Sequence, residues 1–264
     1  MERGAIEGAA ELLARARLAG ERVDHLPAEL RPEDERAAYD VQEALHRRLA
    51  EASRGAQAGH KIGCTTQVMQ RYLGIANPCA GGILAPQVHR DRAELRHEEF
   101  LRPGVECELA VTLGADLPAG AAPYHRDTVA GAVEGLMAAI EIVDDRYRDY
   151  RTFDTPTLIA DDFFNAGCVL GPPVASWREL EITRLMGRML INGVEVGRGW
   201  SRDILGHPLE ALAWLATMCA GRGTPLRAGE FVLLGSVVQT VWLEPGDRVA
   251  IEVEGLGGAE LVLT

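Results

Sequence analysis

The 264-residue sequence predicts an α+β fold in which helices precede a predominantly β core. Residues 5–53 carry apolar side chains at helical spacing. From Lys61 onward, short apolar runs alternate with turns rich in Gly and Pro, which is typical of strands. Because strands and helices do not alternate regularly, a doubly wound parallel sheet is not indicated. We therefore divide the chain into an N-terminal helical segment, residues 1–58, packed on a core domain, residues 59–264.

Two helices are predicted before residue 55. The first covers residues 1–18, which are rich in Ala, Glu and Arg. The second begins near Pro32, where a proline and an acidic first turn favour a helix N-terminus, and it ends before Gly55. Its apolar residues recur on one face. We interpret this region as a packing or dimerisation arm.

The middle of the chain mixes short strands and helices. A short helix is predicted over residues 69–73. Residues 106–113 alternate between polar and apolar side chains, as in a strand. Asp127 is a preferred N-cap residue, so we predict a helix over residues 128–137. A strand over residues 140–143 follows.

The C-terminal third is predicted to be rich in strands. Asn192-Gly193 separates two apolar runs and predicts a type I′ hairpin. A helix is predicted from Pro208 to Ala220. The predicted strands after it cover residues 231–234, 237–242, 248–254 and 260–263.

The composition excludes several classes of protein. With 27 basic and 39 acidic residues, the formal net charge is −12, which disfavours nucleic-acid binding. The five cysteines include no CxxC pair, which argues against a disulfide framework or a thiolate zinc site. Apolar runs are too short to span a membrane. Residues 1–20 carry Glu and Arg throughout, so we expect no signal peptide and a cytoplasmic location.

Lys61 is the sole lysine, because 26 of the 27 basic residues are arginine. A lysine ammonium is a compact charge whose pKa is tuned by burial, a property that arginine lacks. Gly59 and Gly63 flank it and permit close backbone approach. We interpret Lys61 as a candidate functional residue rather than as a lysine that is present by chance.

Two glutamates interrupt an apolar strand. Glu106 and Glu108 are two residues apart, so they project from the same face of the strand, and Cys107 points away. Adjacent carboxylates repel each other, and burial increases that repulsion. Either this face is solvated or a cation binds there. Carboxylate oxygens suit Mg²⁺ or Mn²⁺.

Glu141 lies within the apolar run Ala138-Ala139-Ile140-Glu141-Ile142-Val143. A carboxylate in such surroundings is usually paired or coordinating. It is a natural third metal ligand. Asp144 and Asp145 are alternatives for that role, although an acidic pair is also typical of a turn.

Two further segments carry polar groups among apolar residues. Residues 158–167 contain Asp161, Asp162 and Asn165, which indicates either a loop at the mouth of a site or a turn with local side-chain caps. Gly235-Ser236 interrupts an apolar run near the C-terminus. That glycine indicates either a ligand contact through backbone amides or a β-bulge.

Five segments match a known family in the same order. They are residues 60–63 (His-Lys-Ile-Gly), 106–110 (Glu-Cys-Glu-Leu-Ala), 140–144 (Ile-Glu-Ile-Val-Asp), 159–161 (Ile-Ala-Asp) and 235–236 (Gly-Ser). In these segments the sequence resembles the 2-keto-4-pentenoate hydratase and 4-oxalocrotonate decarboxylase family, part of the fumarylacetoacetate hydrolase superfamily. The resemblance covers most of the chain.

The resemblance implies a β-rich core of the fumarylacetoacetate hydrolase type with N-terminal helices around it. It implies a divalent cation, Mg²⁺ or Mn²⁺, held by Glu106, Glu108 and Glu141. It also implies that Lys61 lies beside the metal and polarises a 2-oxo acid. Burial beside a metal is expected to lower the pKa of the Lys61 ammonium. Members of the family commonly self-associate, so a homo-oligomer is expected.

The loops expected near the substrate depart from the family pattern. Many members carry Asp in a Pro-Asp-x-Gly loop that here reads Pro78-Cys79-Ala80-Gly81. Many also carry Asp-Asn where this chain has Asp161-Asp162. With these departures in view, the substrate-binding residues predicted are Gly63, Asp162 and Ser236.

The resemblance implies a lyase, a hydratase acting on a 2-hydroxypenta-2,4-dienoate-like acid in aromatic meta-cleavage catabolism. The alternatives are a decarboxylase of the 4-oxalocrotonate type and a C–C hydrolase of the same superfamily. A decarboxylase acting on a dicarboxylate needs another cation, from Arg71, Arg146 or Arg151. A non-catalytic complex subunit is disfavoured, because a scaffold has no need of a buried anionic cluster.

Overall fold

The computed structural model describes residues 1–66, 70–71 and 74–264 and has the predicted α+β architecture. The short helix predicted over residues 69–73 falls largely outside these residues. The α-helices are α1 (Arg3–Ala19), α2 (Glu35–Leu49), α3 (Arg126–Ala130), α4 (Thr155–Ala160) and α5 (Pro208–Gly221). Short 3₁₀ turns cover Ala28–Leu30, Ala85–Gln87, His97–Glu99, Ala119–Ala121, Tyr150–Thr152, Trp177–Glu179 and Ser201–Asp203.

The strands form two mixed sheets. In chain order they are β1 (Gln57–Gly63), β2 (Cys79–Leu84), β3 (Val88–Arg90), β4 (Arg92–Leu95), β5 (Pro103–Leu113), β6 (Val133–Asp144), β7 (Asn165–Leu170), β8 (Met186–Ile191), β9 (Val194–Trp200), β10 (Phe231–Trp242), β11 (Arg248–Val253) and β12 (Gly257–Leu263). The seven-stranded sheet has the order β2-β1-β10-β5-β6-β7-β3, and the five-stranded sheet has the order β4-β12-β11-β8-β9.

Both predicted N-terminal helices are present. The Asp34 carboxylate accepts a hydrogen bond from the Ala37 amide at 2.8 Å, which caps the start of α2. Leu13 of α1 and Leu45 of α2 are fully buried, and the two helices pack on each other. A π-helical turn, Ala50–Arg54, extends α2 to the residue before Gly55. None of the helices in the described ranges is long and apolar enough to cross a membrane.

The helix predicted over residues 128–137 is wrong. Helix α3 ends at Ala130, its N-cap is His125 rather than Asp127, and strand β6 begins at Val133. Strand β6 lies between β5 and β7, and nearly all of it is buried. A strand buried on both faces has a continuous apolar sequence, which periodicity alone does not distinguish from a buried helix.

The C-terminal predictions are largely confirmed. Asn192 and Gly193 have φ values of 52° and 80° between β8 and β9, as a type I′ turn requires. Strand β10 runs unbroken through the two segments predicted separately. Its register against β5 shifts around Gly235, where φ is 135°, so this glycine forms a β-bulge.

The two sheets meet where β9 and β12 pack against the larger sheet. Strand β12 contacts β6, and β9 contacts β10. At Gly199, an added Cβ would overlap the carbonyl oxygen of Val237. Glycine at this position therefore lets the backbones of β9 and β10 approach each other closely.

We predict that Gly199→Ala lowers the free energy of unfolding by about 1–3 kcal/mol, because overpacking at this contact forces backbone shifts. Gly221→Ala is the matched control, since Gly221 ends α5 and an added Cβ there meets nothing within 4 Å. The control should be neutral or stabilising. Urea unfolding midpoints measure both changes, and equal midpoints for the two variants would contradict this account of the sheet contact.

Candidate functional site

Three glutamates from neighbouring strands face one another in the larger sheet. Glu106 and Glu108 are two residues apart on β5, so their side chains share a face. Glu141 on β6 lies directly opposite Glu106 in the antiparallel register. Carboxylate oxygens of the three residues lie within 4.8 Å of one another. The structure therefore brings together the three residues that the sequence analysis selected as metal ligands.

Lys61 joins this cluster from β1. Its side chain is buried, with the residue only 3% exposed. Its Nζ lies 3.1 Å from Oε1 of Glu141, although β10 and β5 separate the two strands in the sheet. The sole lysine of the chain is thus paired with a carboxylate of the cluster.

Glu106 and Glu108 each accept a hydrogen bond from an uncharged group of β10. The hydroxyl of Thr240 donates to Oε1 of Glu106. The amide N–H of Gly235 donates to Oε2 of Glu108 at 2.9 Å. The bulge at Gly235 thereby turns a backbone amide towards the cluster, and both carboxylates are held in fixed orientations.

The two oxygens of Glu141 differ in their surroundings. Oε1 accepts from Nδ2 of Asn165 at 2.9 Å and faces the Lys61 ammonium. Oε2 is buried and has no hydrogen-bond partner among the described residues. A buried carboxylate oxygen without a partner carries a large desolvation cost. Glu141 therefore has one oxygen free to act as a ligand.

Burial and mutual repulsion disfavour ionisation of the cluster. Burial, followed by the charge of Glu141, raises the pKa of Glu106 to about 7. The pKa of Glu108 is raised well above its ordinary value by burial and by both neighbouring carboxylates. For Lys61, burial acts to lower the pKa, but the carboxylates, Glu141 first, outweigh it and raise it. Among the protein groups the acidic surroundings thus outweigh desolvation, and the lowering expected beside a bound metal stays a prediction.

The donor set fits a divalent cation. Three carboxylates provide hard oxygen ligands, and their repulsion is relieved when a cation binds among them. The partnerless Oε2 of Glu141 is the group that most needs such a partner. Glu106, Glu108 and Glu141 are therefore the residues able to hold the ion.

An unusual turn lies next to the cluster. Asp162, Phe163 and Phe164 have φ values of 57°, 47° and 70°, so three successive non-glycine residues are left-handed. Each such residue costs about 1–2 kcal/mol relative to right-handed backbone. The turn places the Phe163 ring 5.6 Å from Nζ of Lys61. Strain of this kind persists when surrounding contacts hold it in place.

The first residue of the turn is held by the N-terminal helices. The Asp162 carboxylate lies 2.9 Å from a guanidinium nitrogen of Arg17 on α1 and 2.8 Å from Nε2 of His46 on α2. It also accepts from the amide of Gly82 on β2 at 2.8 Å. The residue is 1% exposed. Residues from three elements therefore fix the start of the left-handed turn.

Asp161 is held in the same way by charged and polar groups. Its carboxylate accepts from Nε of Arg17 at 2.6 Å, from Nε of Arg146 at 3.1 Å and from the Tyr147 hydroxyl at 2.8 Å. The Arg146 guanidinium also donates to the carbonyl of Asn165 at 2.8 Å. This network links helix α1 to the residue that orients Glu141.

Gly63, predicted from the sequence to bind substrate, lies beside the side chain of Lys61. An added Cβ on Gly63 would be 3.4 Å from Nζ of Lys61 and 3.2 Å from Sγ of Cys79. The bare glycine therefore leaves open the space next to the ammonium.

The polar side chains of Asp162 and Ser236 form hydrogen bonds and ion pairs with other protein groups. The Ser236 hydroxyl contacts the carbonyl oxygens of Cys107 at 3.1 Å and Val238 at 2.6 Å. The Asp162 carboxylate is bound by the N-terminal helices, as described above. Both polar groups thus support the backbone around the site, and their role as substrate ligands stays a prediction. Asp162 is buried, and buried polar groups bond to protein atoms.

Sequence reasoning assigned no specific role to four residues that shape the site. Asn165 was visible as a polar interruption of an apolar segment. Thr240 and Phe163 carried no signal of their own, because threonine and phenylalanine are ordinary strand and core residues. Arg17 was hidden among 26 arginines, and its partner Asp161 is 144 positions away.

A family model described as fumarylacetoacetate (FAA) hydrolase C-terminal matches residues 83–263. The chain belongs to the fumarylacetoacetate hydrolase family. The matched region contains the three glutamates and ends one residue before the C-terminus. It does not include Lys61 or the N-terminal helices, so the predicted boundary between residues 58 and 59 stays a prediction.

Members of the family with curated names cover most of the chain. A 2-keto-4-pentenoate hydratase from Paraburkholderia phymatum is 34% identical over 229 residues, which are 85% of this chain and 84% of that protein. A 4-oxalocrotonate decarboxylase from a Pseudomonas species is 32% identical over 232 residues, 87% of each chain. A hydratase and a decarboxylase, two of the three activities considered from the sequence, therefore occur among its relatives.

Solved structures of family members share the fold. The structure of 4-oxalocrotonate decarboxylase from Pseudomonas putida G7, complexed with magnesium and adipate, has a TM-score of 0.92 and 28% identity, and the match covers 100% of this chain and 99% of that one. Fumarylpyruvate hydrolase from Pseudomonas aeruginosa, complexed with Mn²⁺ and pyruvate, has a TM-score of 0.63 and 15% identity over 78% of this chain. The first match confirms the N-terminal helices as part of the shared fold.

We predict that Arg17→Gln lowers the free energy of unfolding by about 3–5 kcal/mol, because it leaves two buried carboxylates without their shared cation. Arg47→Gln is the matched control. Arg47 pairs with Glu7 at the surface, where its side chain is 53% exposed, and loss of such a pair costs at most about 1 kcal/mol. Chemical denaturation measures both effects. A cost for Arg17→Gln as small as that of the control would show that the buried network does not hold the turn.

The destabilisation caused by Arg17→Gln should depend on pH. Burial acts to raise the pKa of Asp162, but His46 and Arg17 outweigh it and hold the pKa well below its usual range. A lowered carboxyl pKa contributes stability that is complete above the unfolded pKa of about 3.9 and is lost as the pH falls towards the folded value. The gap between wild type and variant should therefore be full at neutral pH and shrink below about pH 4. Denaturation midpoints across this range test the sign, and a gap that widens in acid would contradict it.

Proposed function

We propose that this chain is a metal-dependent hydratase that adds water to a 2-hydroxypenta-2,4-dienoate-like acid to give a 4-hydroxy-2-oxo acid. The observation that carries the proposal is the buried Lys61 ammonium beside three convergent carboxylates, one with an unpaired oxygen. A substrate anion can bind at such a centre only where cationic charge is available. Hydratase relatives at 34% identity support this choice. We place the reaction in the catabolism of aromatic compounds as part of the same proposal.

The chemistry divides between the bound ion and the side chains. When bound, a divalent cation supplies Lewis-acid stabilisation of negative charge on the oxygens of a 2-oxo acid. We assign Lys61 as the catalytic residue, which holds the substrate anion by charge and donates or accepts a proton at Nζ. Asn165 keeps Glu141 oriented, and Phe163 covers the lysine and limits access of water.

The space beside Lys61 is the proposed binding position for the substrate. Gly63 leaves this space open, and the Cys79 sulfur and the Phe163 ring border it. These groups carry no charge, which suits the apolar diene end of a monocarboxylate. Asp162 and Ser236 then act as positioning residues, because their polar atoms bind protein groups.

The second candidate is decarboxylation of a dicarboxylate, favoured by the match to 4-oxalocrotonate decarboxylase over the whole chain. Its second carboxylate requires a cation. Of the three arginines considered from the sequence, Arg146 already donates hydrogen bonds to the Asp161 carboxylate and to backbone carbonyls. Arg151 is exposed and pairs with Asp149, and Arg71 is also exposed. The hydratase therefore fits the structure better, because the buried Arg146 is already paired with the Asp161 carboxylate and is not available to a second substrate carboxylate.

Further properties follow as part of the same proposal. The ion is Mg²⁺ or Mn²⁺, because the three ligand side chains are carboxylates. The reaction takes place in the cytoplasm, and the active form is a homo-oligomer. The helical segment, residues 1–58, acts as a support for the core domain, residues 59–264, through Arg17 and His46.

We predict that millimolar Mg²⁺ or Mn²⁺ raises the thermal midpoint of the wild type, because a ligand of the folded state stabilises it by mass action. Glu106→Gln should lose both this shift and turnover. Lys61→Ala should keep the shift and lose turnover. Glu134→Gln, an exposed change on β6, is the control and should behave as the wild type. A Lys61→Ala variant with near-normal rates would remove Lys61 from the catalytic role.

The decisive assay supplies 2-hydroxypenta-2,4-dienoate with Mg²⁺ or Mn²⁺, with and without EDTA, and identifies the product by NMR. We expect 4-hydroxy-2-oxopentanoate, with its formation abolished by EDTA. 4-Oxalocrotonate is tested in parallel for release of CO₂. Faster release of CO₂ than hydration would replace the hydratase with the decarboxylase, and no turnover of either substrate would reject both.

A further inference from the structure

Two of the five cysteines approach each other at the edge of the candidate site. Cys64 directly follows β1, and Cys79 opens β2 opposite Gly63 in the antiparallel register. Both are free thiols, and their sulfur atoms are 3.5 Å apart. A disulfide needs about 2.05 Å between the sulfurs, so closure requires an approach of about 1.5 Å. Side-chain rotation at two neighbouring positions can supply a movement of that size.

The two thiols differ in access to solvent. Cys79 is fully buried, whereas Cys64 is partly exposed at the end of its strand. Burial also raises the pKa of the Cys79 thiol well above its ordinary value. Cys64 is therefore the sulfur that a dissolved oxidant meets first. Cys79 is placed behind it as the resolving thiol, an arrangement found in redox-sensitive cysteine pairs.

The pair is connected to the lysine through Gly63. An added Cβ on Gly63 would lie 3.2 Å from the Cys79 sulfur and 3.4 Å from Nζ of Lys61. The sulfur and the ammonium therefore border the same small space. Movement of the Cys79 sulfur towards Cys64 changes the wall of that space, where the substrate is proposed to bind.

We propose that Cys64 and Cys79 are an oxidisable dithiol whose disulfide form disables the site beside Lys61. The oxidant class is a peroxide, and a thiol reductant restores the dithiol. The formation of the disulfide stands on the geometry of the two sulfurs alone. Its effect on turnover rests on the proposed hydratase function. Disulfides in reducing compartments are characteristically transient and redox-sensing, which suits a reversible role.

The chemistry balances in two steps. The Cys64 thiolate attacks one oxygen of hydrogen peroxide, the O–O bond breaks, and a sulfenic acid forms while hydroxide leaves and is protonated to water. The Cys79 sulfur then attacks the Cys64 sulfur, the S–O bond breaks, and the departing hydroxide takes the Cys79 proton to give a second water. The two thiols lose two electrons, and the peroxide gains them.

The test treats the reduced wild-type protein with hydrogen peroxide and follows both structure and rate. Cleavage after Lys61, Arg71 and Arg90 by trypsin puts Cys64 in the peptide 62–71 and Cys79 in the peptide 72–90. A disulfide therefore appears as a cross-link between two separate peptides in mass spectrometry. Turnover should fall about a hundredfold, since displacement of the site by ~1 Å has effects of that order. Dithiothreitol should restore it.

Matched variants separate this pair from general oxidation. Cys64→Ser should keep the basal rate and lose both the cross-link and the sensitivity to peroxide. Cys219→Ser removes a buried cysteine on α5 and should stay as sensitive as the wild type. If Cys64→Ser folds poorly, the cross-link in the wild type, measured together with the reversible loss of turnover, decides the question.

The outcomes are distinct. The cross-link with reversible loss of turnover supports the proposal. Peroxide treatment that leaves both thiols free, or converts Cys64 to higher acids without a cross-link, overturns it. A cross-linked protein with the rate of the reduced form also overturns it. If the reduced protein turns over none of the substrates, the proposed function fails. The cross-link then tests only whether the disulfide between Cys64 and Cys79 forms.

Discussion

The rest of this structure depends on one constraint, the convergence of three carboxylates, two buried and one half-buried, on one ammonium. If all three ionise, Glu106, Glu108 and Glu141 set three negative charges against the single positive charge of Lys61. Taking each ion out of water costs several kcal/mol, so the pKa values of Glu106 and Glu108 are raised. Uncharged donors offset part of that cost. The bulge in β10 turns an amide towards Glu108, and Asn165 is directed at Glu141. The remaining repulsion gives the cluster its affinity for a multivalent cation.

The N-terminal helices belong to this arrangement as much as the sheets do. A run of three left-handed residues carries Phe163 to the lysine and leads into Asn165. Such a run is unfavourable by itself. Arg17 and His46 bind the acidic residues at its start, so the packing of α1 and α2 helps to fix a turn at the candidate site.

Much of the fold was accessible from local patterns in the sequence. Alternation placed Glu106 and Glu108 on one face of a strand, the Asn-Gly pair marked the hairpin, and the isolated Lys61 stood out by composition. Strand β6 was partly assigned to a helix because its apolar run has no period of two when both faces are buried. The partners of the Asp162 and Ser236 side chains were beyond local patterns, since they include groups on α1, α2 and β5.

The same separation in sequence explains why the supporting residues were missed. Arg17 meets Asp161 across 144 positions, and Thr240 meets Glu106 across 134. In neither pair does the sequence around one residue indicate its partner. Long-range partners of this kind become visible only when the sheet order and the helix docking are known.

The scarcity of lysine gives this protein an unusual spectroscopic property. Lys61 is the sole lysine in the chain, and it is buried beside the carboxylates. Isotopic labelling of lysine therefore introduces a single labelled side chain, at the candidate site itself. One ammonium resonance then reports ion binding, substrate binding and protonation without assignment of the other 263 residues.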